Sequence, residues 1–129
     1  LHRIIEQRRD RAYKLGELLA DIDFITLPHV PADCYHTFQS YVITLDKNID
    51  RDKIIHGMRQ RGVETTIGTY ALHSQPIFRR KYQYKPGILP ESHRLFRSSL
   101  TLPTSYNMTE EELGIISASL KECLKVEAS

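Results

Sequence analysis

The sequence predicts an α+β domain of two layers, in which helices pack on one face of a small mixed or antiparallel sheet. Apolar residues recur at helical spacing near both ends of the chain. Between them, the stretch from His36 to Leu45 is rich in aromatic and β-branched residues, which favour strands. A length of 129 residues fits one domain with one core, so we expect residues 1–129 to fold as a unit.

The first element is predicted to be an amphipathic helix over residues 1–21. Its apolar positions are Ile4, Ile5, Ala12, Leu15, Leu18, Leu19 and Ile22. The cluster Arg8-Arg9-Asp10-Arg11 could form a phosphate-binding patch, but acidic neighbours interrupt it, which favours a solvated helix face. Residues 23–33 contain Pro28 and Pro31, and we expect an extended connection there.

The middle of the chain is predicted to run strand, helix, strand. His36 to Leu45 forms the central strand, and Asp50 caps a helix that buries Ile54, Ile55 and Met58. Gly57 costs that helix about 1 kcal/mol relative to alanine, which indicates close packing at this position. Gly62 ends the helix in the left-handed conformation.

A second strand is expected after Gly62, with Val63, Thr65 and Ile67 on one side and Glu64 and Thr66 on the other. Gly68-Thr69-Tyr70-Ala71 then leaves the strand end as a loop. Its hydroxyl and phenol, together with the imidazole of His73, are groups that bind phosphates or sugar hydroxyls. We therefore place a ligand site at Gly68, Thr69, Tyr70 and His73. A polar surface loop with a buried tyrosine is the alternative.

The remaining elements follow from proline, glycine and capping signals. Pro76 to Lys85 is predicted as a short helical turn, Lys85-Pro86-Gly87 as a turn, and Pro90 as the first residue of another helix. Leu100 to Pro103 fits a third strand. Thr109 and Glu112 form a capping box for the last helix, whose apolar stripe is Leu113, Ile116, Leu120 and Leu124.

Composition limits the classes of function. The net charge of +2 is too small to indicate a nucleic-acid or anionic-membrane partner. Cys34 and Cys123 are far apart and lack the spacing of a zinc site or disulfide framework, so we expect reduced thiols in a cytoplasmic protein. No apolar run is long enough to span a bilayer. Because the chain begins at Leu1, we expect a processed product or a piece of a longer protein.

The chain lacks the usual catalytic motifs. It has no glycine-rich phosphate loop, no Gly-x-Ser-x-Gly elbow and no His-Glu-x-x-His helix, and its six histidines are scattered without metal-ligand spacing. The seven lysines all fall in predicted surface helices or turns, where burial would not depress their pKa for imine chemistry. We therefore expect no metal site and no nucleophile in this chain.

Five segments occur in an order and spacing that resemble a known family. They are His36-Thr-Phe-Gln-Ser-Tyr-Val-Ile, Arg61-Gly-Val-Glu-Thr65, Leu72-His73-Ser-Gln-Pro-Ile-Phe-Arg79, Ser99-Leu-Thr-Leu-Pro103 and Asn107-Met-Thr-Glu-Glu-Glu112. Each segment alone is weakly specific. Their succession resembles the C-terminal segment of the DegT/DnrJ/StrS-type sugar aminotransferases, which are pyridoxal phosphate enzymes of fold type I. The resemblance runs from the first helix to the last.

The resemblance implies the roles of the site residues. Many members have His-Tyr-Pro-x-Pro before Leu-His-x-Gln-Pro, and this segment approaches substrate or cofactor across the domain and dimer interface. Leu72 to Pro76 matches the second half, so His73 carries over best. Thr69 and Tyr70 rest on local chemistry, because Ile67 to Ala71 departs from the first half. Gly68 would allow a ligand close to the backbone.

Two structural alternatives remain open. His73 could cap a short helix or satisfy a buried carbonyl. His36 and Gln39 are more readily explained as structural residues.

By this resemblance the chain is the small domain of an aminotransferase that moves an amino group from a donor such as glutamate to a nucleotide-linked keto-sugar. Such a domain contributes substrate binding and active-site closure, whereas a large domain holds pyridoxal phosphate and its lysine. We expect neither stable cofactor binding nor transamination by residues 1–129 alone, and a homodimer for the full-length enzyme. A free-standing interaction or dimerisation module is the main alternative; nucleic-acid binding is a more distant one. Relatives whose lysine is replaced are dehydratases, and this segment does not separate the two chemistries.

Overall fold

The computed structural model describes residues 1–85 and 87–129, and its order of helices and strands is that of an α+β domain. The helices are α1 (His2–Leu19), α2 (Arg51–Gln60), α3 (Pro76–Tyr82), α4 (Pro90–Ser98) and α5 (Glu110–Glu127), with a short 3-10 helix at Leu72–Ser74. The strands are β1 (Ile25–Thr26), β2 (Tyr41–Leu45), β3 (Thr66–Ile67) and β4 (Ser99–Leu102). The expected turn at Lys85-Pro86-Gly87 includes Pro86, which lies outside the described residues.

The four strands form one antiparallel sheet in the order β1-β2-β4-β3. Of the two alternatives for the sheet, mixed or antiparallel, the structure has the antiparallel one, and β2 is an inner strand as predicted. Strand β2 pairs with β4, so that Ile43 lies opposite Leu100 and Tyr41 opposite Leu102. These four side chains are buried and belong to one core.

Helices α1, α2 and α5 supply the other side of this core. Helix α5 packs against both α1 and α2. Their buried apolar side chains are Ala12, Leu15, Leu19, Ile54, Met58, Leu113, Ile116, Leu120, Cys123 and Leu124. Burying such side chains stabilises the fold, because each Å² of apolar surface removed from water contributes roughly 25 cal/mol of free energy. The two-layer arrangement predicted from the sequence is therefore confirmed.

The ends of α2 and α5 confirm the capping predictions. The Asp50 carboxylate accepts hydrogen bonds from the backbone N–H of Asp52 and of Lys53. Thr109 and Glu112 form both halves of a capping box at α5. At Gly57, an added Cβ would lie 2.9 Å from Cys123 Sγ, which explains why the α2 interior carries a glycine against α5.

Two predicted strands are shorter in the structure. The expected strand from His36 begins only at Tyr41, because Phe38 has a left-handed backbone (φ 47°) and its N–H donates to His36 Nδ1 at 3.0 Å. The expected strand from Val63 begins only at Thr66, because the Val63 N–H donates to the Met58 carbonyl and completes the end of α2. Gly62 has the predicted left-handed φ of 76°.

The extended connection predicted over residues 23–33 contains a short strand that was not predicted. Ile25 and Thr26 form the edge strand β1, which pairs with Leu45 and Thr44 of β2. A strand of two residues is too short to show the alternation by which strands are recognised in a sequence.

Candidate functional site

Gly68 and Thr69 lie where β3 ends, and both are bound to β4. The Gly68 N–H donates to the Ser99 carbonyl at 3.1 Å, and the Thr69 N–H donates to Ser99 Oγ at 3.0 Å. A Cβ added to Gly68 would lie 2.6 Å from Val42 Cγ1 and 2.7 Å from Ser99 Cβ. Packing against the sheet therefore explains the glycine, and its closeness to a ligand stays a prediction.

Tyr70 lies on the surface as a supported aromatic ring. Its side chain is 59% exposed, and its ring stacks on Phe96 of α4 with centroids 5.9 Å apart. The Arg51 guanidinium lies 5.7 Å from the Phe96 ring centroid and donates to the Phe96 carbonyl. The alternative of a buried tyrosine in this loop is therefore wrong for Tyr70.

His73 lies in the short 3-10 helix and is 7% exposed. The Ser74 hydroxyl, rather than the imidazole, donates to the Ala71 carbonyl at 2.7 Å. Within residues 1–85 and 87–129, His73 Nδ1 is buried and has no hydrogen-bond partner. The prediction that His73 contributes to a site stays untested, but its Nδ1 is left without a structural role.

His73 lies on a cavity of about 180 Å³. The described residues that line this cavity are His73, Ser74, Arg79, Tyr84, Lys85, Gly87 and His93. Gly68, Thr69 and Tyr70 are not among them. The structure thus brings His73 together with side chains from α3, from the segment after it and from α4, and it leaves the other three predicted site residues elsewhere.

The segment that carries this cavity is unusually basic and exposed. Residues 70–89 contain four cations, Arg79, Arg80, Lys81 and Lys85, and no carboxylate. Helix α3 buries none of its residues. Large apolar side chains here are exposed: Tyr70, Leu72, Ile77, Tyr82, Tyr84, Ile88 and Leu89. Arg79, Lys85 and His93 are not among the site residues predicted from the sequence, although the run of cations without a carboxylate distinguishes this segment.

A stack of aromatic rings runs from α3 to the cavity rim. Phe78 stacks on Tyr82 with centroids 6.2 Å apart, and Tyr82 stacks on Tyr84 with centroids 5.5 Å apart. Lys81 Nζ lies 5.3 Å from the Tyr82 ring centroid. Aromatic faces beside unpaired cations are suited to a ligand that carries both a ring and an anion.

A larger cavity of about 320 Å³ lies between the β2–α2 turn and α4, but its charges are mixed. Asp46, Asp50 and Asp52 line it together with Arg51, Arg94 and Arg97. Arg51 is already paired with Asp52 at 2.9 Å. This cavity offers less unsatisfied charge to a ligand than the one beside His73.

Other site types find no support among the residues that the structure describes. Among the described residues, no group of three His, Cys, Asp or Glu side chains is arranged to hold a metal ion. No helix among them has the length and apolar character that crossing a membrane requires. All seven lysines are at least partly exposed. Cys34 is an exposed free thiol and Cys123 a buried one.

Comparison with known proteins identifies the family. The model of the DegT/DnrJ/EryC1/StrS aminotransferase family matches residues 1–121. The chain belongs to this family. The resemblance inferred from the five sequence segments is thereby confirmed.

Relatives of the chain in this aminotransferase family are much longer than the chain. A protein of Geobacillus stearothermophilus named pleiotropic regulatory protein is 30% identical over 125 residues, which are 95% of this chain and 32% of the relative. The dTDP-4-dehydro-2,3,6-trideoxy-D-glucose 4-aminotransferase of Saccharopolyspora spinosa is 27% identical over 128 residues, 97% of this chain and 31% of that enzyme. The chain therefore spans about a third of the length of these relatives.

Solved structures of aminotransferases share the fold. TlmJ, an aminotransferase from Streptoalloteichus hindustanus, superposes with a TM-score of 0.86 at 22% identity and covers 100% of this chain and 34% of its own. PseC of Helicobacter pylori, an aminotransferase involved in the biosynthesis of pseudoaminic acid, gives a TM-score of 0.86 at 14% identity, over 95% of this chain and 33% of its own. At these identities the likeness establishes the fold of the chain.

Proposed function

We propose that this chain is the C-terminal domain of a pyridoxal phosphate-dependent aminotransferase that acts on a nucleotide-linked keto-sugar. The amino group would come from an amino acid such as glutamate. The observation that carries the proposal is the family match over residues 1–121, in relatives of which this chain is only about a third. The naming of one such relative as a sugar 4-aminotransferase supports the substrate class.

The exposed apolar surface of residues 70–89 supports the view that the chain packs against something larger. Leu72 is 60% exposed and Ile77 is 63% exposed, and α3 buries no residue. Large apolar side chains that are exposed together in one segment support an interaction site. In the proposed enzyme, the large domain and a second subunit of a homodimer are the partners available to cover it.

No lysine of this chain is in a setting suited to covalent attachment of pyridoxal phosphate. A lysine that forms an imine with the cofactor is normally held in a buried, desolvated setting, and each of the seven lysines here is at least partly exposed. We therefore assign pyridoxal phosphate to the rest of the enzyme. This chain contributes substrate binding and closure of the active site, with His73, Thr69 and Tyr70 as candidate contacts and Gly68 as the support of their loop.

The experiment is to express the full-length reading frame, add pyridoxal phosphate and glutamate, and offer a panel of nucleotide-linked keto-sugars. The proposal predicts an amino-sugar nucleotide and 2-oxoglutarate in equal amounts. A product that has lost a hydroxyl instead of gaining an amino group would show the dehydratase chemistry of some relatives. Absence of both products with every sugar would contradict the proposal.

An interaction module without catalytic activity is the second candidate, and the same exposed apolar surface favours it. Self-association of the 129-residue chain, with no response to nucleotide-sugars, would support this candidate. Ligand-dependent chemical-shift changes in the 129-residue chain would support the enzyme domain. Either candidate is compatible with a cytoplasmic protein whose two thiols stay reduced.

A further inference from the structure

We propose that the cavity beside His73 binds a phosphate group of a nucleoside diphosphate, with the nucleoside lying against Tyr84 on the cavity rim. The proposal deepens the function proposed above and rests on it for the substrate class. It moves the nucleotide end of the substrate away from the loop Gly68 to Tyr70 and toward α3 and α4.

His73 has an unsatisfied polar atom beside the cavity. Its side chain is more than nine-tenths buried, lines the cavity, and has a buried Nδ1 without a hydrogen-bond partner in the described part of the chain. Buried polar groups are almost always satisfied by protein, water or ligand. A rotation of the His73 ring, which lines the cavity, would bring Nδ1 to a phosphate oxygen there, and that oxygen would accept the imidazole N–H.

The charge of the cavity lining favours an anion. Arg79, Lys85 and His93 line the cavity, and no carboxylate is among its described lining residues. In the described chain, neither Arg79 nor Lys85 forms an ion pair, whereas Arg94 on α4 pairs with Glu91 at 3.0 Å. Unpaired cations that converge on one cavity favour an anion, and arginine binds phosphate oxygens through two parallel hydrogen bonds.

The volume of the cavity limits the size of the group that it can hold. Pockets that enclose a drug-sized ligand are typically about 300 to 1,000 Å³, and this cavity is about 180 Å³. It suits a phosphate group better than a whole nucleotide, so the nucleoside must lie outside it. Tyr84 lines the rim and stacks on Tyr82, and both rings are partly exposed, which gives a base an aromatic face.

The test is a set of titrations of the ¹⁵N-labelled 129-residue chain at constant ionic strength. The ligands are uridine diphosphate, inorganic phosphate, uridine and pyridoxal phosphate, each added separately. We expect saturable shifts at His73, Arg79 and His93 with uridine diphosphate, affinity at least about tenfold lower for inorganic phosphate, and no saturable binding of uridine.

Variants separate the cavity from general charge attraction. Arg79→Gln should weaken uridine diphosphate binding by about tenfold or more, because a charge-assisted hydrogen bond is lost. Arg80→Gln is the matched control, since Arg80 is the next residue of the same helix but does not line the cavity; it should change the affinity less than about twofold. Tyr84→Ala should weaken uridine diphosphate binding about tenfold and leave inorganic phosphate unchanged.

Three results would overturn the inference. They are no saturable binding of uridine diphosphate, equal losses in Arg79→Gln and Arg80→Gln, or tighter binding of inorganic phosphate or pyridoxal phosphate than of uridine diphosphate. A fourth such result is saturable shifts confined to Thr69 and Tyr70. The proposed function is tested separately, by amination of a nucleotide-sugar by the full-length enzyme. Failure of the phosphate site can therefore be distinguished from failure of the proposed function.

Discussion

Replacing Gly68 with alanine should destabilise the domain, because the new methyl group has no room. It would lie 2.6 Å from Val42 Cγ1, 2.7 Å from Ser99 Cβ and 2.8 Å from Ser99 Oγ. These atoms belong to strands β2 and β4, which are the inner strands of the sheet. Relief of the contacts therefore requires a shift of the sheet or of the loop, rather than rotation of a flexible side chain.

The magnitude follows from two opposing effects. Overpacking typically costs 1 to 3 kcal/mol, and three contacts below 3 Å place Gly68→Ala near the upper end, at about 3 kcal/mol. Reduced entropy of the unfolded chain offsets up to about 1 kcal/mol. We expect a net loss of about 2 kcal/mol in the free energy of unfolding, measured by urea titration. The corresponding fall in Tm is about 8 °C.

Gly114→Ala is the matched control. Gly114 lies inside α5, and an added Cβ would meet nothing within 4 Å. This variant should be as stable as the original chain or more stable by up to about 1 kcal/mol. In Gly68→Ala/Val42→Ala, the two losses should not add, because the second change removes one of the clashing atoms. A Gly68→Ala domain as stable as the original would refute the packing argument.

Three further predictions concern stability and thiol chemistry. Asp50→Ala should lower the free energy of unfolding by about 1 kcal/mol in urea titrations, because α2 loses its N-cap; no loss would count against the cap. Burial raises the pKa of the Cys123 thiol, so a thiol reagent should modify exposed Cys34 quickly and Cys123 only on unfolding, and equal rates would contradict the buried position. The hydrogen bond from Lys121 lowers the pKa of Asp21 below its ordinary 3.8. The stability that this pair contributes is therefore present above pH 3.8 and is lost as the pH falls through the lowered pKa of Asp21. Asp21→Asn should remove the contribution of this pair to the acid dependence of unfolding.

Local signals made much of the fold predictable. The caps Asp50 and Thr109 act on backbone N–H groups two or three residues away, so the sequence contains the whole interaction. Gly62 is similar, because the end of a helix is a local event. The helical periodicity also identified the core residues Ala12, Leu15 and Leu19 of α1, although Ile4 and Leu18, predicted on the same apolar face, are exposed.

Contacts between distant residues explain what the sequence could not show. His36 to Ser40 has strand composition, but Arg9 donates to the His36 carbonyl at 2.7 Å and Phe38 turns the chain away from the sheet. The β1 strand depends on pairing with β2, about 20 positions later. Such tertiary contacts override local preference.

The candidate site was only partly predictable for the same reason. His73 was found from its motif, whereas His93 lies 20 residues later on another helix and carries no motif that links the two. The sequence alone suggests a ligand as the reason for Gly68, and only the assembled sheet shows that a Cβ at this position would clash with Val42. Residue types indicated which chemistry was available, and the fold determined which residues share a cavity.

The most direct test of the proposed function is to find which lysine of the full-length protein carries pyridoxal phosphate. Borohydride reduction of the purified protein with pyridoxal phosphate fixes the cofactor to the lysine that carries it, and peptide mass spectrometry identifies that lysine. We expect a single modified lysine outside residues 1–129. Modification of one of the seven lysines within residues 1–129, or of none in the whole protein, would contradict it.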